Sequence, residues 1–209
     1  LLFVFRGRGP WNRSNYRMWQ GGVLFLAGRL VLVLVVVLVP QSSVSRESLL
    51  DKVVYRSPGV NRYSEQWVNF WVPKVWRTDD PSQRIPCRIE YGYRDSVPKA
   101  QRKLILCSHG NAEDLMSCAQ FLRELSERLA MDVVTWDYAG YGLNAPAPWE
   151  RTVEGVNVAL KTVLDALLAQ GYLLKNVLLW GYSLGTGPST ALAASLSHQN
   201  EPLGGLILF

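Results

Sequence analysis

Ser183 stands in the stretch GYSLG, residues 181 to 185, between the apolar run LLKNVLLW and the segment TGPSTALAASLSH. A serine hydroxyl attacks a carbonyl well only when a base takes its proton and nearby donors receive the charge that develops on the carbonyl oxygen. Gly181 and Gly185 allow a strand to turn tightly into a helix and project the serine outward. That strand-to-helix setting is what gives a G-x-S-x-G match its weight. A second stretch, SHGNAED, follows the apolar run KLILC and places His109, Gly110 and Asn111 in a loop able to offer a backbone N–H to an oxyanion. The N–H of Leu184, directly after the serine, is the expected second donor, and the amino end of the following helix adds a favourable dipole. A plain strand-to-helix turn capped by Asn111 is the competing reading of the H-G-N step.

Such a site needs a base and a carboxylate that orients it. The chain has 2 histidines. His198 follows Ser183 on what should be the same helix, about 22 Å along its axis, and is out of reach. His109 belongs to the donor loop and precedes the serine. Asp137, in DYAGYG, also precedes it, against the order in which a nucleophile-elbow site draws its triad. It is expected to anchor its turn, with Tyr138 and Tyr141 shaping a pocket wall. After Ser183 the sole acid is Glu201. The sequence opens on Leu1 and stops inside the strand-like LGGLILF, where an unpaired apolar sheet edge would be a hazard. It therefore reads as a fragment open at both ends, with the triad acid and histidine expected past residue 209.

The elements that must hold these residues alternate in type. KLILCSH has the pattern of a short buried strand, and residues 112 to 130 carry Leu115, Ala119, Leu122, Leu125 and Leu129 at helical spacing. DVVTWDY predicts a strand, a Gly- and Pro-bearing turn covers 140 to 148, and a helix runs through TVEGVNVALKTVLDALLAQ to a cap at Gly171. The strand NVLLWGY, the helix GPSTALAASLSHQ and the strand-like LGGLILF follow. This alternation with short links predicts an α/β fold, a mostly parallel sheet with helices on both faces. Reacting groups of such sheets gather at the carboxyl ends of the strands. Upstream, Trp67, Phe70 and Trp71 at i, i+3, i+4 predict a short amphipathic helix stopped by Pro73. IPCRIEYGYRDSVP, residues 85 to 98, predicts a strand or hairpin at a sheet edge.

In this order and spacing, HGNAEDL, DYAGYG and GYSLGTGPS resemble the membrane-associated alpha/beta-hydrolase domain proteins related to the serine peptidase-like hydrolases, a group that includes protein depalmitoylases. The resemblance spans about residues 85 to 209 and implies an incomplete alpha/beta-hydrolase fold. It implies Ser183 as nucleophile, the loop at Asn111 as part of the oxyanion hole, and hydrolysis of acyl esters or thioesters. The implied substrate is an acylated protein or a lipid-like ester. Depalmitoylating members carry a cysteine-rich lipidated amino terminus, whereas the first cysteine here is Cys87, so the branch with a single membrane anchor matches better. LNAPAPWE, after DYAGYG, departs from the small and charged residues usual in the family. If the gene ended at Phe209, the alternative would be a catalytically inactive, membrane-anchored pseudo-hydrolase or binding module.

Charge and composition narrow the remaining classes. The net charge of +5 comes from Arg6, Arg8, Arg13, Arg17 and Arg29 in a first stretch of 40 residues without an acid, so the rest is balanced and no nucleic-acid partner is expected. Cys87, Cys107 and Cys118 form no C-x-x-C pair, and neither a metal nor a cofactor is expected. Cys107 reads as a small buried hydrophobe.

Residues 23 to 39, VLFLAGRLVLVLVVVLV, would span about 25 Å as a helix, enough for a short membrane crossing. The arginines before the run place the amino terminus in the cytoplasm, a single-pass arrangement. A cleaved signal peptide followed by secretion, or a buried core segment, are the alternatives. The expected organisation is thus a basic segment at 1–20, a transmembrane or signal-anchor helix at 21–40, a linker with an aromatic amphipathic stretch at 41–84, and a partial alpha/beta-hydrolase domain at 85–209.

Overall fold

A computed structural model of the chain describes residues 3–5, 63–76, 80, 83–111, 113–145 and 148–209. Seven strands form one sheet: β1 (Phe3–Phe5), β2 (Phe70–Pro73), β3 (Arg84–Glu90), β4 (Leu104–Ser108), β5 (Asp132–Trp136), β6 (Val177–Gly181) and β7 (Gly205–Leu208). Their order is β1-β7-β6-β4-β5-β3-β2. β5, β4, β6 and β7 run parallel, while β3, β2 and β1 are antiparallel to their neighbours. The helices are α1 (Leu115–Leu129), α2 (Val153–Ala169) and α3 (Thr186–His198).

Strand alternation sorts the core into two layers. Leu104 and Leu106 of β4 point to the face where Val156, Leu160, Val163 and Leu167 of α2 and Leu192 and Leu196 of α3 pack. Ile105 and Cys107 point the other way, to Cys118 and Leu122 of α1. Every residue of β4 and β5 is buried, as expected of parallel strands covered on both sides. α1 and α2 each start at a side-chain cap. Asp114 caps α1 by accepting from Ser117 N at 2.9 Å, with the Ser117 hydroxyl reciprocating, and Thr152 Oγ1 accepts from Gly155 N at the start of α2. Gly171, with φ at 101°, ends α2 in the left-handed conformation.

Two expectations upstream are corrected. Trp67, Phe70 and Trp71 do not share a helix: a single 3-10 turn covers Glu65–Trp67, and Phe70–Pro73 form β2, paired with β3 in the register Phe70↔Cys87. A β-favouring FWV triplet next to the unpaired rim of β3 outweighs an apolar spacing only one turn long. β3 in turn is no edge strand, because β2 covers its outer side. The apolar β7 edge, expected to stand open, is paired with β1 in the register Val4↔Ile207. No helix among the described residues is long and apolar enough to cross a membrane. The segments drawn at 1–20 and 21–40, with the run at 23–39, and residues 41–62 of the linker drawn at 41–84 lie outside the described residues, β1 apart.

Candidate active site

β4 and β6 are adjacent and in register, with Ser108 beside Gly181, so the loops that follow them emerge side by side. At the end of β6 the chain turns through Tyr182 into a short 3-10 turn, Ser183–Gly185, and then α3. Ser183 is exposed and has φ at 50°, a left-handed conformation that costs a non-glycine residue about 1–3 kcal/mol and is held only by its surroundings. Those surroundings are hydrogen bonds on both flanks. Tyr182 N–H donates to Ser108 O at 3.0 Å, Ser183 N–H to Phe209 O at 2.9 Å, and Thr186 Oγ1 to Ser183 O at 2.7 Å. The two glycines are required for space, not for their φ angles. A Cβ on Gly185 would enter the backbone of Ser108, and one on Gly181 would lie 2.6 Å from Gly185 O. Leu184 follows Ser183 at the mouth of α3, where the first N–H groups of a helix have no intrahelical acceptor.

The loop after β4 is braced from three directions. Gly110 N–H donates to Glu113 Oε2 at 2.6 Å, Tyr138 OH to His109 O at 2.6 Å, and Tyr141 OH to the side-chain oxygen of Asn111. Gly110 also presses on the elbow, since a Cβ there would sit 3.2 Å from the Tyr182 ring. Tyr138 and Tyr141 are fully buried and bonded to this loop, so they act as its struts and not as an exposed pocket wall.

Beneath the loop lies Asp137, buried at the carboxyl end of β5. One carboxylate oxygen accepts Leu115 N–H, the first amide of α1, at 3.0 Å and faces His109 Nε2 at 3.4 Å, within ion-pair reach but without hydrogen-bond geometry. The other accepts the Tyr63 hydroxyl. Burial pushes the Asp137 carboxyl above the ordinary range, and His109 and Tyr63 pull it partly back. His109 Nδ1 lies 2.8 Å from Gly110 O, so both ring nitrogens are turned to the loop and to Asp137. His198 is exposed at the last residue of α3, at the far end of the helix from Ser183.

The structure thus brings His109, Gly110, Asn111, Gly181, Ser183, Leu184 and Gly185 to neighbouring strand ends. Tyr63 and Glu113 were missed by sequence reasoning. Tyr63 is separated from Asp137 by 74 residues and no local pattern marks it, whereas Glu113 was legible as an acid three residues from Gly110 at a helix start.

A cavity of about 410 Å³ opens beside the elbow, lined chiefly by Cys107, Cys118, Phe121, Trp180, Tyr182 and Phe209. The thiols at 107 and 118 are driven up by burial, Cys118 to about 12. They behave as apolar lining, not as nucleophiles. Among the described residues no cluster of three or more His, Cys, Asp or Glu could hold a metal.

No protein-family model matches the chain. A relative from Acanthamoeba polyphaga mimivirus, named as an alpha/beta hydrolase, is 31% identical over 157 residues, 73% of this chain and 55% of the relative. Alpha/beta hydrolase domain-containing protein 17B of Homo sapiens is 36% identical over 94 residues, 43% of this chain and 31% of its own length. Among solved structures, an esterase from the archaeon Pyrobaculum calidifontis aligns with 63% of this chain and 40% of its own, at 19% identity and a TM-score of 0.44. The chain therefore spans about half the length of the first of these relatives and a third of the second. Its mostly parallel sheet flanked by helices is an incomplete alpha/beta-hydrolase fold, and over part of their length the chain is similar to curated proteins named as alpha/beta hydrolases.

Proposed function

We propose that the protein is a serine hydrolase of acyl esters or thioesters, with Ser183 as nucleophile and an oxyanion hole formed by the N–H of Leu184 and the loop at Asn111. The observation that carries this reading is the left-handed φ of an exposed Ser183 at the end of β6, beside a loop that the Tyr138 and Tyr141 hydroxyls and the Glu113 carboxylate hold in place. A non-glycine residue kept in that conformation at a helix mouth is strain that serves to present a side chain. In the proposed reaction Ser183 Oγ attacks the substrate carbonyl carbon and its proton passes to a base. The oxyanion is held by the backbone donors, and the alkoxide or thiolate leaves with that proton. Water then releases the acid from the acyl-enzyme.

The base is not His109, whose nitrogens face Gly110 O and Asp137, nor His198 at the other end of α3. Base and acid are proposed to come from sequence beyond these 209 residues, and the isolated chain to be close to inactive on a short acyl ester. The cavity beside Tyr182 supports an apolar acyl portion in the substrate. Hydrolysis of a fatty thioester on a protein cysteine, at a membrane to which residues 21–40 would anchor the protein, is the finer reading and rests on motif resemblance.

The test is labelling of the full-length protein by a fluorophosphonate probe, with Ser183→Ala as control. Labelling that disappears in the variant supports the reading. Equal labelling of both, or none of the wild type, overturns it in favour of an inactive pseudo-hydrolase. A thioester substrate and its oxygen ester, compared on the labelled protein, decide the finer point.

A further inference from the structure

The Asp137 cluster does more than a buried core residue requires. A carboxylate out of water is costly unless its lone pairs and charge are matched. Among the described residues the one group beside Asp137 able to carry positive charge is His109, at 3.4 Å. The other side-chain contacts of Asp137 lead to the start of α1 and, through Tyr63, to the turn after β5. Leu115 N–H anchors the start of α1, where the Asn111 loop ends. Tyr63 comes from outside the strand–helix repeat, is buried, and also receives Leu143 N–H at 3.4 Å from the turn after β5. That turn is shaped to admit it. Gly142 has φ at 49°, and a Cβ there would run into both the Asp137 carboxylate and the Tyr63 ring. Asn144 Nδ2 donates to Asp137 O at 2.7 Å and closes the turn from the other side.

We infer that Tyr63, Asp137 and His109 form a positioning relay that holds the oxyanion loop, so that the segment before β2 sets the alignment of donors it never touches. The relay runs from the Tyr63 hydroxyl to the Asp137 carboxylate, from there to His109 Nε2 and the first amide of α1, and from His109 Nδ1 to Gly110 O. Among the described residues, none of the hydrogen bonds or ion pairs of the three leads to Ser183. The three act through the backbone of residues 109–111; the Gly110 N–H is held by Glu113 Oε2, and the Asn111 N–H is the donor that must meet the oxyanion within a few tenths of an ångström to be useful. The effect on rate rests on the serine-hydrolase reading above, whereas the effect on the loop does not.

Tyr63→Phe in the full-length protein removes one hydroxyl and leaves the ring in place. Tyr172→Phe is its control, because Tyr172 OH donates to another buried aspartate, Asp132, at 2.7 Å, at the opposite end of β5. Two measurements follow. In amide hydrogen exchange, the peptide covering residues 108 to 116 exchanges faster in Tyr63→Phe and at the wild-type rate in Tyr172→Phe. In kinetics on a short acyl ester, Tyr63→Phe lowers kcat about tenfold to a hundredfold with KM within about twofold, the mark of lost transition-state alignment. Asp137→Asn gives the same split, and Tyr172→Phe does not. Unchanged exchange at 108–116 in Tyr63→Phe, or equal acceleration in Tyr172→Phe, overturns the relay. Exchange that rises while kcat per folded molecule stays at the wild-type value overturns its role in alignment. A wild type that no fluorophosphonate labels sinks the hydrolase reading alone, because exchange still decides the relay. If Tyr63→Phe fails to fold, the same two readouts on Asp137→Asn, which keeps an acceptor for Leu115 N–H, stand in its place.

Discussion

Strand β5 is flanked by two buried aspartates, and the two ends hold them differently. Asp132, at the amino end, accepts the N–H groups of Gly92 and Tyr93, the Tyr172 hydroxyl at 2.7 Å, and an Arg102 guanidinium N–H at 3.3 Å. Arg102 is itself satisfied, donating further to the carbonyls of Val97 and Arg94. Asp137, at the carboxyl end, has a tyrosine, one helix amide and an out-of-line histidine. The first is an ion pair with its hydrogen bonds filled; the second is a carboxylate kept buried with incomplete compensation. Chemistry in such sheets gathers at strand carboxyl ends, and here the amino end and the proposed working end differ in how far their buried charge is matched.

The largest expected effect breaks the amino end. Arg102→Met keeps most of the side-chain volume but leaves Asp132 buried without a cation and unties the loop carbonyls at 94 and 97. Removing one partner of a buried pair costs about 3–5 kcal/mol. Urea unfolding should show that loss, while probe labelling per folded molecule is unchanged. A loss under about 1 kcal/mol would put this pair on the footing of a surface ion pair and erase the contrast between the ends.

Asp137→Asn reverses the pattern, with a stability change within about 1 kcal/mol, because the amide still accepts from Leu115 N–H and relieves a costly buried charge. The labelling rate should nevertheless fall about tenfold to a hundredfold. The pH dependence has a definite sign. The native Asp137 carboxyl titrates above its unfolded value, chiefly through burial, so the folded state binds more protons in the window between the two. Wild-type stability relative to the variant therefore falls as pH rises from about 4 through the raised native value, and is level above it. His109, Tyr63 and Asp114 are the titratable groups facing this carboxyl and set the width of the window. A difference between wild type and Asp137→Asn that stays flat from pH 4 to 8 would refute the incomplete compensation inferred here.

The working end was legible in the sequence where its signals are local. G-x-S-x-G after an apolar run, H-G-N after another, and the alternation of strand and helix depend on neighbours within a turn or two, and the sheet places them as that pattern implies. Asp137 was legible as a turn anchor, but its link to Tyr63 was not, because only the tertiary fold brings residue 63 under residue 142. The aromatic stretch at 67–71 misled for a related reason. Three apolar residues at helical spacing are also compatible with a strand, and the choice between them is made by the open side of β3, which the local sequence does not display. The same holds for β7, whose outer neighbour comes from residues at the other end of the chain.

The smallest expected effect tests whether the amino end draws its strength from the buried pair alone. Lys99 Nζ sits 5.3 Å from the centroid of the Tyr172 ring and donates to Gln170 Oε1 at the surface. Tyr172 is itself buried, and its hydroxyl is fixed on Asp132 whether or not a cation covers the ring. The ammonium stays solvated, so its attraction to the ring is worth about 0.5 kcal/mol and is further reduced by the entropy of holding a long side chain. Lys99→Ala should then lower the urea-derived stability by no more than about 0.5 kcal/mol, close to the limit of measurement and far below Arg102→Met. A loss above about 1.5 kcal/mol would mean that the surface layer, and not the Arg102–Asp132 pair, keeps Tyr172 seated. The contrast between the two ends of β5 would then rest on shielding from water instead of charge compensation.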